Sequence, residues 1–376
     1  MLPAHGPAPT VAGRYGRRVA ASELASPAAA DAAACAAMFA EFARTASRRA
    51  PLYQRLAAGI AEDLELAGLL LHAPPAQRQP VLLFACVHDL LLRGHDAAGL
   101  RAHYPNLRDG APPAGDPVDA LRAFCRRHHD ALVGLLATRS TQTNEIGRCC
   151  LLLPVFGLLA AEVGPLSHLD VGTSAGLNLL LDRYHYTYEP GGEVGGPSPV
   201  RLVCGTRGDV PVPAAMPAVV ERRGLDRDPV DVHDPDQARW LEACVWPDQT
   251  DRFERLRAAL ELARASELVI HRGDAVTDTA PLVLAAAAHP VVTNTWVLSY
   301  LSSDERRAYL AALEECGTRR DLSWVFAESP QFVPELPVDD RDDEATALVL
   351  VRWRGGRRHV AHLARCHPHG YWLHWR

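Results

Sequence analysis

The hydrophobic pattern of the sequence changes near Gly164, and this change limits the possible folds more than any other feature. Between residues 22 and 163, alanine and leucine are dense and apolar residues recur at helical spacing, as in residues 80–93. Beyond that point, short apolar runs alternate with helical stretches, which is typical of a parallel sheet with crossover helices. The sequence therefore predicts a flexible N-terminus over residues 1–21, an all-α domain over residues 22–163 and an α/β domain over residues 164–376.

The order of the predicted strands in the second half indicates a Rossmann-like sheet. Five predicted strands separated by helical stretches come first, and the chain ends in segments that alternate like an antiparallel hairpin around Gly355 and Gly356. An irregular insert, residues 186–215, follows the first of these steps and must bulge out of the sheet. A mostly parallel sheet that ends in an antiparallel hairpin is the order expected of a class I methyltransferase-like fold.

The basic residues of the chain are all arginines, 39 in number, because the sequence contains no lysine. A Schiff-base lysine and a P-loop lysine are therefore excluded, and with them pyridoxal-phosphate chemistry and Walker-type nucleotide hydrolysis. The net charge of −6 comes without a basic stripe, so we expect no nucleic-acid partner.

The cysteines and the apolar runs indicate the cellular location of the protein. Nine scattered cysteines, none in a C-x-x-C pair, are typical of free thiols in a reducing cytoplasm. The longest apolar run, residues 149–163, contains Pro154 and is too short to span a membrane. We therefore expect a cytoplasmic protein that acts on a small molecule without a membrane partner. The sequence leaves its oligomeric state open.

A glycine loop follows the first predicted strand and opens a predicted helix. It reads D-V-G-T-S-A-G from Asp170 to Gly176, with Asn178 shortly after it. Glycine permits a close backbone approach to a ligand, and amides at a helix start can face polar cofactor atoms. The loop follows the (D/E)-x-G-x-G-x-G pattern that passes under the methionine part of S-adenosylmethionine (SAM), with Ser174 replacing the middle glycine. We expect SAM to be bound by Asp170, Gly172, Ser174, Gly176 and Asn178.

The same residues also spell G-x-S-x-G, the nucleophile elbow of a serine hydrolase. Ser174 would then be the nucleophile, with Asp274 and either His367 or His369 completing a triad. An elbow follows several strands and an oxyanion loop, whereas the residues upstream of Ser174 are predicted to be helical. This alternative and a purely structural glycine turn both remain open, and the SAM loop is favoured.

Two further acids are predicted to hold the cofactor. An acid at the end of the second strand suits the two hydroxyl donors of a ribose, and Asp226 occupies that place. Glu189 is the alternative ribose acid, because it lies closer to the loop in sequence. Asp274 follows the third strand, where it can accept from the adenine amino group or cap a helix.

The end of the fourth predicted strand is expected to line the transfer site. Asn294 is polar and lies where open α/β sheets bind their ligands, so we predict a catalytic position for it. Trp296 and Tyr300 are expected to wall the substrate, although aromatic residues in an apolar stretch are more often part of a core.

A polar cluster over residues 140–148 lies shortly before the first strand. It can cap the following helix through Thr143 and Asn144, or fold over the cofactor site as a lid. In the lid hypothesis Asn144 contacts the substrate, Glu145 is the general base and Arg148 clamps a carboxylate. The C-terminal histidines and Cys366 match no zinc module, so no metal is expected.

Six segments of the sequence resemble the bacterial proteins of domain-of-unknown-function family 2332. The resemblance implies a similarity to class I SAM-dependent methyltransferases and no particular substrate. This sequence has D-R-D-P at residues 226–229 where relatives tend to have D-L-N-P, which puts Arg227 near the expected ribose site. The six segments are QTNEIGR (Gln142–Arg148), DVGTSAGLNLLLDRY (Asp170–Tyr184), GLDRDPVDV (Gly224–Val232), ARWLEACVWPDQ (Ala238–Gln249), HRGDA (His271–Ala275) and HPHGYWLHW (His367–Trp375).

The function expected from these features is SAM-dependent methyl transfer, or another SAM-using transfer, to a small molecule. In this hypothesis the helical domain supplies a substrate lid. The alternative is a protein that binds SAM or another nucleotide without turnover, because the fourth strand lacks a (D/N)-P-P-(Y/F) motif. A serine hydrolase that uses Ser174 is the third possibility.

Overall fold

The computed structural model describes residues 27–45, 50–96, 99–334, 336 and 346–376. They form two compact units with separate hydrophobic cores. The helical unit holds the described residues up to Thr143 together with Asp234–Arg257, and the sheet unit holds Asn144–His233 and the described residues from Ala258 onward. The predicted flexible N-terminus, residues 1–21, lies outside the described residues.

The α-helices of the described residues often begin at a proline, whose missing amide hydrogen costs nothing in a first turn. Because aspartate is a favoured N-cap residue, the sequence predicts that Asp116 caps a helix that begins at Pro117. This prediction is confirmed, since Asp116 accepts from the Val118 amide of the fifth helix at 3.0 Å. In chain order the helices are α1 (Pro27–Thr45), α2 (Pro51–Ala61), α3 (Leu64–Gly68), α4 (Pro80–Leu92), α5 (Pro117–Arg127), α6 (His129–Thr138), α7 (Cys149–Val163), α8 (Pro235–Ala243), α9 (Thr250–Arg264), α10 (Ala275–Leu284) and α11 (Ser303–Arg319).

The strands of the described residues form one mixed sheet in the sheet unit, which confirms the mixed α/β class. The first strand has the predicted bounds, and all six of its residues are buried, as in a parallel sheet covered on both faces. In chain order the strands are β1 (Leu166–Val171), β2 (His185–Glu189), β3 (Gly192–Val194), β4 (Arg201–Arg207), β5 (Val219–Asp226), β6 (Val269–Arg272), β7 (His289–Thr295), β8 (Leu322–Glu328), β9 (Thr346–Arg354), β10 (Arg357–Cys366) and β11 (Trp372–Trp375).

The strand order reverses next to β1. Across the described sheet it is β3-β2-β4-β11-β10-β9-β8-β7-β1-β5-β6. The five strands from β8 to β6 are mutually parallel, whereas β9 is antiparallel to both β8 and β10. From β1 the chain continues outward to β5 and β6 on one side and later to β7 and β8 on the other. In open α/β sheets, ligands bind at the carboxyl ends of the strands where such a reversal occurs.

The insert that the sequence predicts as a bulge over residues 186–215 instead extends the sheet. It supplies β2, β3 and β4 at the edge opposite β6. The segment Val200–Cys204, predicted as part of a hairpin, lies mainly in β4, which pairs in parallel with β2 and β11. Local turn signals did not reveal this arrangement, because the partner strand β11 comes from the far end of the sequence.

The sequence predicts a single boundary between the units at residue 164. In the structure the sheet unit begins at Asn144, and the later segment Asp234–Arg257 belongs to the helical unit. The sequence predicts one helical region over residues 236–264, but Pro247 separates α8 from α9. Trp240 and Ala243 of α8 are buried in the core of the helical unit, so this segment belongs there and not with the sheet. A hydrophobic periodicity identifies a helix but does not identify the core on which it packs.

A buried ionic network holds α8 in the helical unit. The Asp89 side chain of α4 has no exposed surface, and its carboxylate accepts from Arg93 Nε at 2.7 Å and from Arg239 Nε at 3.1 Å. The neighbouring His88 ring bonds the Ala243 carbonyl and Asn106, and burial lowers its pKa to about 4. Both residues therefore have structural roles.

Helix α7 belongs to the sheet unit, although its sequence continues the helical pattern of the first half. Its Phe156 packs edge-on against His168 of β1, and its Cys150 carbonyl accepts from Tyr188 of β2 at 2.9 Å. Within the described residues, Ile146–Val163 is long and apolar enough to cross a membrane by length and composition alone. Most of this segment is buried in the structure, as expected for a core helix.

The helix predicted after the glycine loop, residues 175–184, is a shorter 3₁₀ helix over Leu177–Arg183. The Tyr184 hydroxyl donates to the Leu177 carbonyl at 2.6 Å, and the Tyr186 hydroxyl is similarly close to the Leu181 carbonyl. These side chains bind carbonyls near the segment's ends. The chain turns directly into β2 without the long crossover helix that a repeated β/α pattern predicts.

Candidate functional site

Several segments of the sheet unit meet where the strand order reverses. Arg148 donates from Nη1 to the Thr295 carbonyl at the end of β7 (2.7 Å) and from Nε to the Pro368 carbonyl (2.9 Å). Asn144 Oδ1 accepts from the Leu177 amide at 3.2 Å. We call this region the switch-point site and define it as residues 144–148, 170–178, 295–300, 328–329 and 367–370.

The loop after β1 has a left-handed backbone at alternate residues. The φ angles are +82° at Gly172, +53° at Ser174 and +74° at Gly176. These are the three glycine positions of the G-x-G-x-G pattern, so the loop keeps that backbone although serine replaces the middle glycine. A non-glycine residue in this conformation costs about 1–2 kcal/mol, which identifies Ser174 as strained.

The amides of this loop bind protein atoms, which corrects the expectation that they face a cofactor. The Gly172 and Thr173 amides donate to the Leu225 carbonyl at 2.8 and 3.3 Å, and the Ser174 amide donates to Asp226 Oδ2 at 2.8 Å. The Gly176 amide donates to the Thr173 carbonyl. A ligand at this loop must therefore be held mainly by side chains and carbonyl groups.

Asp170 ends a buried hydrogen-bond chain that begins at His168. The single hydroxyl proton of Thr293 goes to Asp170 Oδ1 at 2.7 Å, so the Thr293 oxygen accepts from His168 Nε2 at 2.9 Å. Burial lowers the pKa of His168 to about 3 and raises the pKa of Asp170 to about 6. The second oxygen of Asp170 makes no hydrogen bond of ordinary geometry, although the nearby Thr173 hydroxyl acts to lower the pKa of this carboxyl.

Several buried polar side-chain atoms of the switch-point site make no hydrogen bond within the described residues. Such atoms cost about 1–3 kcal/mol each, so native structures satisfy them with water, ions or ligands. Their position after β1, β7 and β8 indicates a place where a polar ligand binds. They include Ser174 Oγ, Trp296 Nε1, Glu328 Oε2 and Ser329 Oγ.

Glu328, at the end of β8, is a site residue that the sequence analysis missed. Its fully buried carboxyl group accepts through Oε1 from the Val297 amide at 2.6 Å and from the Leu298 amide at 3.1 Å. Burial raises its pKa to about 7, although these amides and Arg148 act in the opposite direction. In the sequence, Glu328 directly follows a predicted buried strand, and this position alone could have identified it as a candidate site residue.

Replacing Glu328 with glutamine should change how stability depends on pH. The pKa of Glu328 is raised from 4.5 to about 7 in the folded state. The folded protein therefore binds this proton more tightly, and its stability falls as pH rises through that window. We expect Glu328→Gln and wild type to be similar near pH 5 and the variant to be about 2 kcal/mol more stable at pH 8.

Urea unfolding at several pH values measures this difference. The matched control is Glu314→Gln, because Glu314 is an exposed carboxylate paired with Arg358 on the surface. Its stability difference from wild type should stay nearly constant with pH. A Glu328→Gln difference equally flat between pH 5 and pH 8 would refute the raised pKa.

The end of β7 contains a second strained residue. Trp296 has a φ of +59°. Among the described residues, Ser174 and Trp296 are the two non-glycine residues with positive φ. Both lie at the switch-point site, and backbone strain of this kind clusters at ligand sites. Tyr300 is 78% exposed, so it belongs to the surface and not to a core. Their predicted contact with a substrate stays a prediction.

Asn294 has a structural role, which corrects its predicted position in the transfer site. Its side chain is fully buried, with Nδ2 donating to the Val171 carbonyl at 3.0 Å. Its Oδ1 accepts from the Tyr309 hydroxyl at 2.9 Å and from Trp324 Nε1 at 2.7 Å. Because the amide binds protein atoms on three sides, it braces β1, β8 and α11.

Asn178 bonds a residue of α7, and its predicted contact with SAM stays a prediction. It is buried, and its Oδ1 accepts from the Cys149 thiol at 3.4 Å. The residue therefore connects the 3₁₀ helix to α7.

The two predicted ribose acids lie in different parts of the sheet. Asp226 ends β5, which pairs with β1, whereas Glu189 ends β2 near the opposite edge of the sheet. Asp226 Oδ2 accepts a hydrogen bond from the Ser174 amide at 2.8 Å, and Asp226 Oδ1 accepts one from the Asp228 amide at 2.9 Å. A carboxylate offers about four acceptor positions, so both oxygens can still accept from ribose hydroxyls.

Asp274 has the capping role that the sequence left as an alternative. Its Oδ1 accepts from the Val276 amide at the start of α10, and its Oδ2 pairs with Arg227 at 2.6 Å. Arg227 also pairs with Glu305 at 2.9 Å. These hydrogen bonds use about three of the four acceptor positions of the carboxylate, and its predicted contact with adenine stays a prediction.

The polar cluster before α7 caps a 3₁₀ turn, although not through the predicted residues. Glu145 Oε1 accepts from the Gly147 amide at 2.9 Å, and Glu145 Oε2 lies 3.4 Å from His369 Nδ1. Arg148 donates to two backbone carbonyls, and its predicted contact with a ligand carboxylate stays a prediction. The cluster thus joins the C-terminal turn to the switch-point site, and the lid hypothesis stays a prediction.

The geometry does not assemble the predicted hydrolase triad. Ser174 Oγ makes no hydrogen bond to a described histidine, and Asp274 is occupied by Arg227 and the cap of α10. His367 Nδ1 accepts from the His369 amide at 3.0 Å. Across the residues that the structure describes, no group of three potential ligand residues could hold a metal ion.

The comparisons with known proteins show the family of the chain. A family model described as "Uncharacterized protein conserved in bacteria (DUF2332)" matches residues 36–375, so the chain belongs to this family. No curated protein matched the chain, and no solved structure did.

Proposed function

Starting from membership in this bacterial family, we propose that the protein binds SAM at the switch-point site and transfers its methyl group to a small molecule. One observation carries the proposal: the loop after β1 keeps the left-handed backbone of G-x-G-x-G at all three alternate positions. The serine at the middle position maintains this backbone at an energetic cost. A loop needed only for turning would be relieved by glycine there.

The strand order supports the same proposal. The parallel series β6-β5-β1-β7-β8 is the 3-2-1-4-5 order of a doubly wound sheet, with the loop at the reversal. The antiparallel β9 next to β8 agrees with the expected methyltransferase-like hairpin. The sheet continues beyond it through β10, β11 and the insert strands, so any such domain is extended at this edge.

The residues of the site fit the chemistry of SAM. Asp226 retains acceptor capacity for ribose hydroxyls, and Asp170 Oδ2 and Ser174 Oγ are buried atoms that need partners. Carboxylates suit the sulfonium and ammonium charges of the cofactor. SAM would supply an activated methyl group, so the protein needs mainly to bind, orient and exclude water.

Calorimetric titration with SAM and with S-adenosylhomocysteine tests the proposal directly. We expect wild type to bind both, and Asp226→Ala to weaken both affinities at least tenfold because ribose hydroxyls lose a charged acceptor. The matched control is Asp228→Ala, since Asp228 follows in the same turn but pairs with Arg272 at the surface. This control should change affinity less than twofold.

The outcomes separate the activity from its placement. Absence of binding to wild type would reject SAM as the ligand. Binding that Asp226→Ala leaves unchanged would reject this placement of the ribose.

SAM binding without turnover is a second candidate function. The observation that favours it is Asn294, which binds only protein atoms where a catalytic polar group was expected. Binding of both ligands without S-adenosylhomocysteine formation, over a broad panel of alcohols, phenols and amines, would favour this function.

A further inference from the structure

Glu145 and His369 form a carboxylate–imidazole pair in the switch-point site. Glu145 Oε2 lies 3.4 Å from His369 Nδ1. The carboxylate side chain is 3% exposed and the imidazole is 28% exposed, so a ligand or solvent reaches the histidine and not the acid. The two residues come from distant parts of the sequence, and only the fold brings them together.

The backbone around this pair is held in place. Arg148 connects the Pro368 carbonyl to the Thr295 carbonyl at the end of β7. Gly147 and Gly370 approach so closely that a Cβ on either would overlap the backbone of the other segment. Glu145 Oε1 accepts from the Gly147 amide at 2.9 Å, which fixes the rotation of the carboxylate.

This geometry selects one tautomer of the neutral imidazole. The 3.4 Å separation is longer than an ordinary hydrogen bond, so the carboxylate acts on the ring mainly through its charge. A carboxylate repels a nitrogen lone pair and attracts an N–H group, so we expect the His369 proton on Nδ1 and the lone pair on Nε2. The same arrangement, with a carboxylate behind a histidine, orients the general base in hydrolytic triads.

We propose that His369 is the proton acceptor of the site and that Glu145 is the residue that positions it. The proposal rests on the proposed function, because methyl transfer to an oxygen or nitrogen requires loss of the acceptor's proton. In this step the acceptor O–H or N–H bond breaks, its electron pair stays on the acceptor, and the proton bonds to Nε2. The imidazolium that forms is stabilised by the Glu145 carboxylate.

Glu145 thereby takes a different role from the predicted one. The sequence places the general base at this glutamate, whereas in the structure its Oε1 accepts from the Gly147 amide and its Oε2 faces the His369 ring. A histidine base narrows the substrate to compounds with a removable proton on the acceptor atom, such as alcohols, phenols or protonated amines. The groups facing His369 include Glu145, His367 and Tyr371, and Arg148 is bonded to the preceding residue.

The tautomer can be measured without a substrate. Long-range ¹H–¹⁵N correlation spectra of ¹⁵N-labelled protein distinguish Nδ1–H from Nε2–H, and the His369 signals are those lost in His369→Gln. We expect the Nδ1–H tautomer in wild type. Glu145→Gln should invert it, because the introduced carboxamide can keep its oxygen on the Gly147 amide only by presenting its NH₂ group to Nδ1, which then must accept.

A second histidine–glutamate pair provides the control. Glu193 lies 3.6 Å from His185 at the edge strands β2 and β3, so Glu193→Gln should leave the His369 tautomer unchanged. As a second measurement, ethoxycarbonylation of His369 by diethyl pyrocarbonate, followed by mass spectrometry, should be at least tenfold slower in Glu145→Gln than in wild type or Glu193→Gln.

The results distinguish this inference from the proposed function. An Nε2–H tautomer in wild type, or a tautomer and reactivity unaffected by Glu145→Gln, would overturn the inference. Calorimetry with SAM on wild type reports the proposed function separately, because absence of SAM binding would reject that function and leave the measured tautomer unaffected.

Discussion

Asn294→Ala should lower the free energy of unfolding of the sheet unit by about 3–5 kcal/mol. The substitution removes one donor and one acceptor from a fully buried site. The Tyr309 hydroxyl, Trp324 Nε1 and the Val171 carbonyl would each lose a partner in the core. Each unsatisfied buried group costs about 1–3 kcal/mol, and the cavity left by the side chain adds to this cost.

Chemical denaturation followed by tryptophan fluorescence measures this loss, since Trp324 contacts the substituted residue. The matched control is Asn144→Ala, which removes a single acceptor from the part-buried Leu177 amide and should cost only about 1 kcal/mol. Equal effects of the two substitutions would contradict the structural role of Asn294.

Asp89→Ala should destabilise the helical unit by about 3–5 kcal/mol, because removing one member of a buried ion pair leaves its partners uncompensated. Asp89 has no exposed surface, and Arg93 and Arg239 are only 29% and 20% exposed. The loss should release α8, which Arg239 connects to α4.

Hydrogen exchange separates this effect from the stability of the sheet unit. Amides of α8 and α4 should exchange faster in Asp89→Ala, whereas those of β1 and β7 should keep their protection. Asp119→Ala is the control, because this acid is 80% exposed beside Arg122 and a surface pair contributes about 0–1 kcal/mol. Protection of α8 that is unchanged in Asp89→Ala would refute the role of the buried network.

Local sequence signals predicted those elements whose partners are near in the chain. The apolar run of β1 and the Asp116 cap of α5 follow from propensity and hydrogen-bonding chemistry, and both are confirmed. The helix expected after the glycine loop is present as a shorter 3₁₀ helix, and tyrosine hydroxyls of the following segment bind its carbonyls. The packing of α8 depends on Asp89, about 150 residues earlier, and no periodicity contains that information.

The sequence indicated at which edge of the sheet the site lies, but it did not indicate which side chains there face a ligand. Parallel strands place their carboxyl ends at one edge, so Asp170 and the end of β7 could be expected together. Strand alternation could not decide which polar residue there faces a ligand, because β7 is buried on both faces, and Asn294 points into the core. Glu328 and the Glu145–His369 pair depend on contacts between distant segments.

The position of β11 also has a consequence for synthesis of the protein. This strand joins β4 to β10, so the insert strands reach the main sheet only through it. On the ribosome, β2, β3 and β4 are made long before their bridging strand, and the edge of β4 stays unpaired during that time. Unpaired strand edges can associate with other chains. We therefore expect the nascent protein to need either rapid completion of synthesis or protection by chaperones.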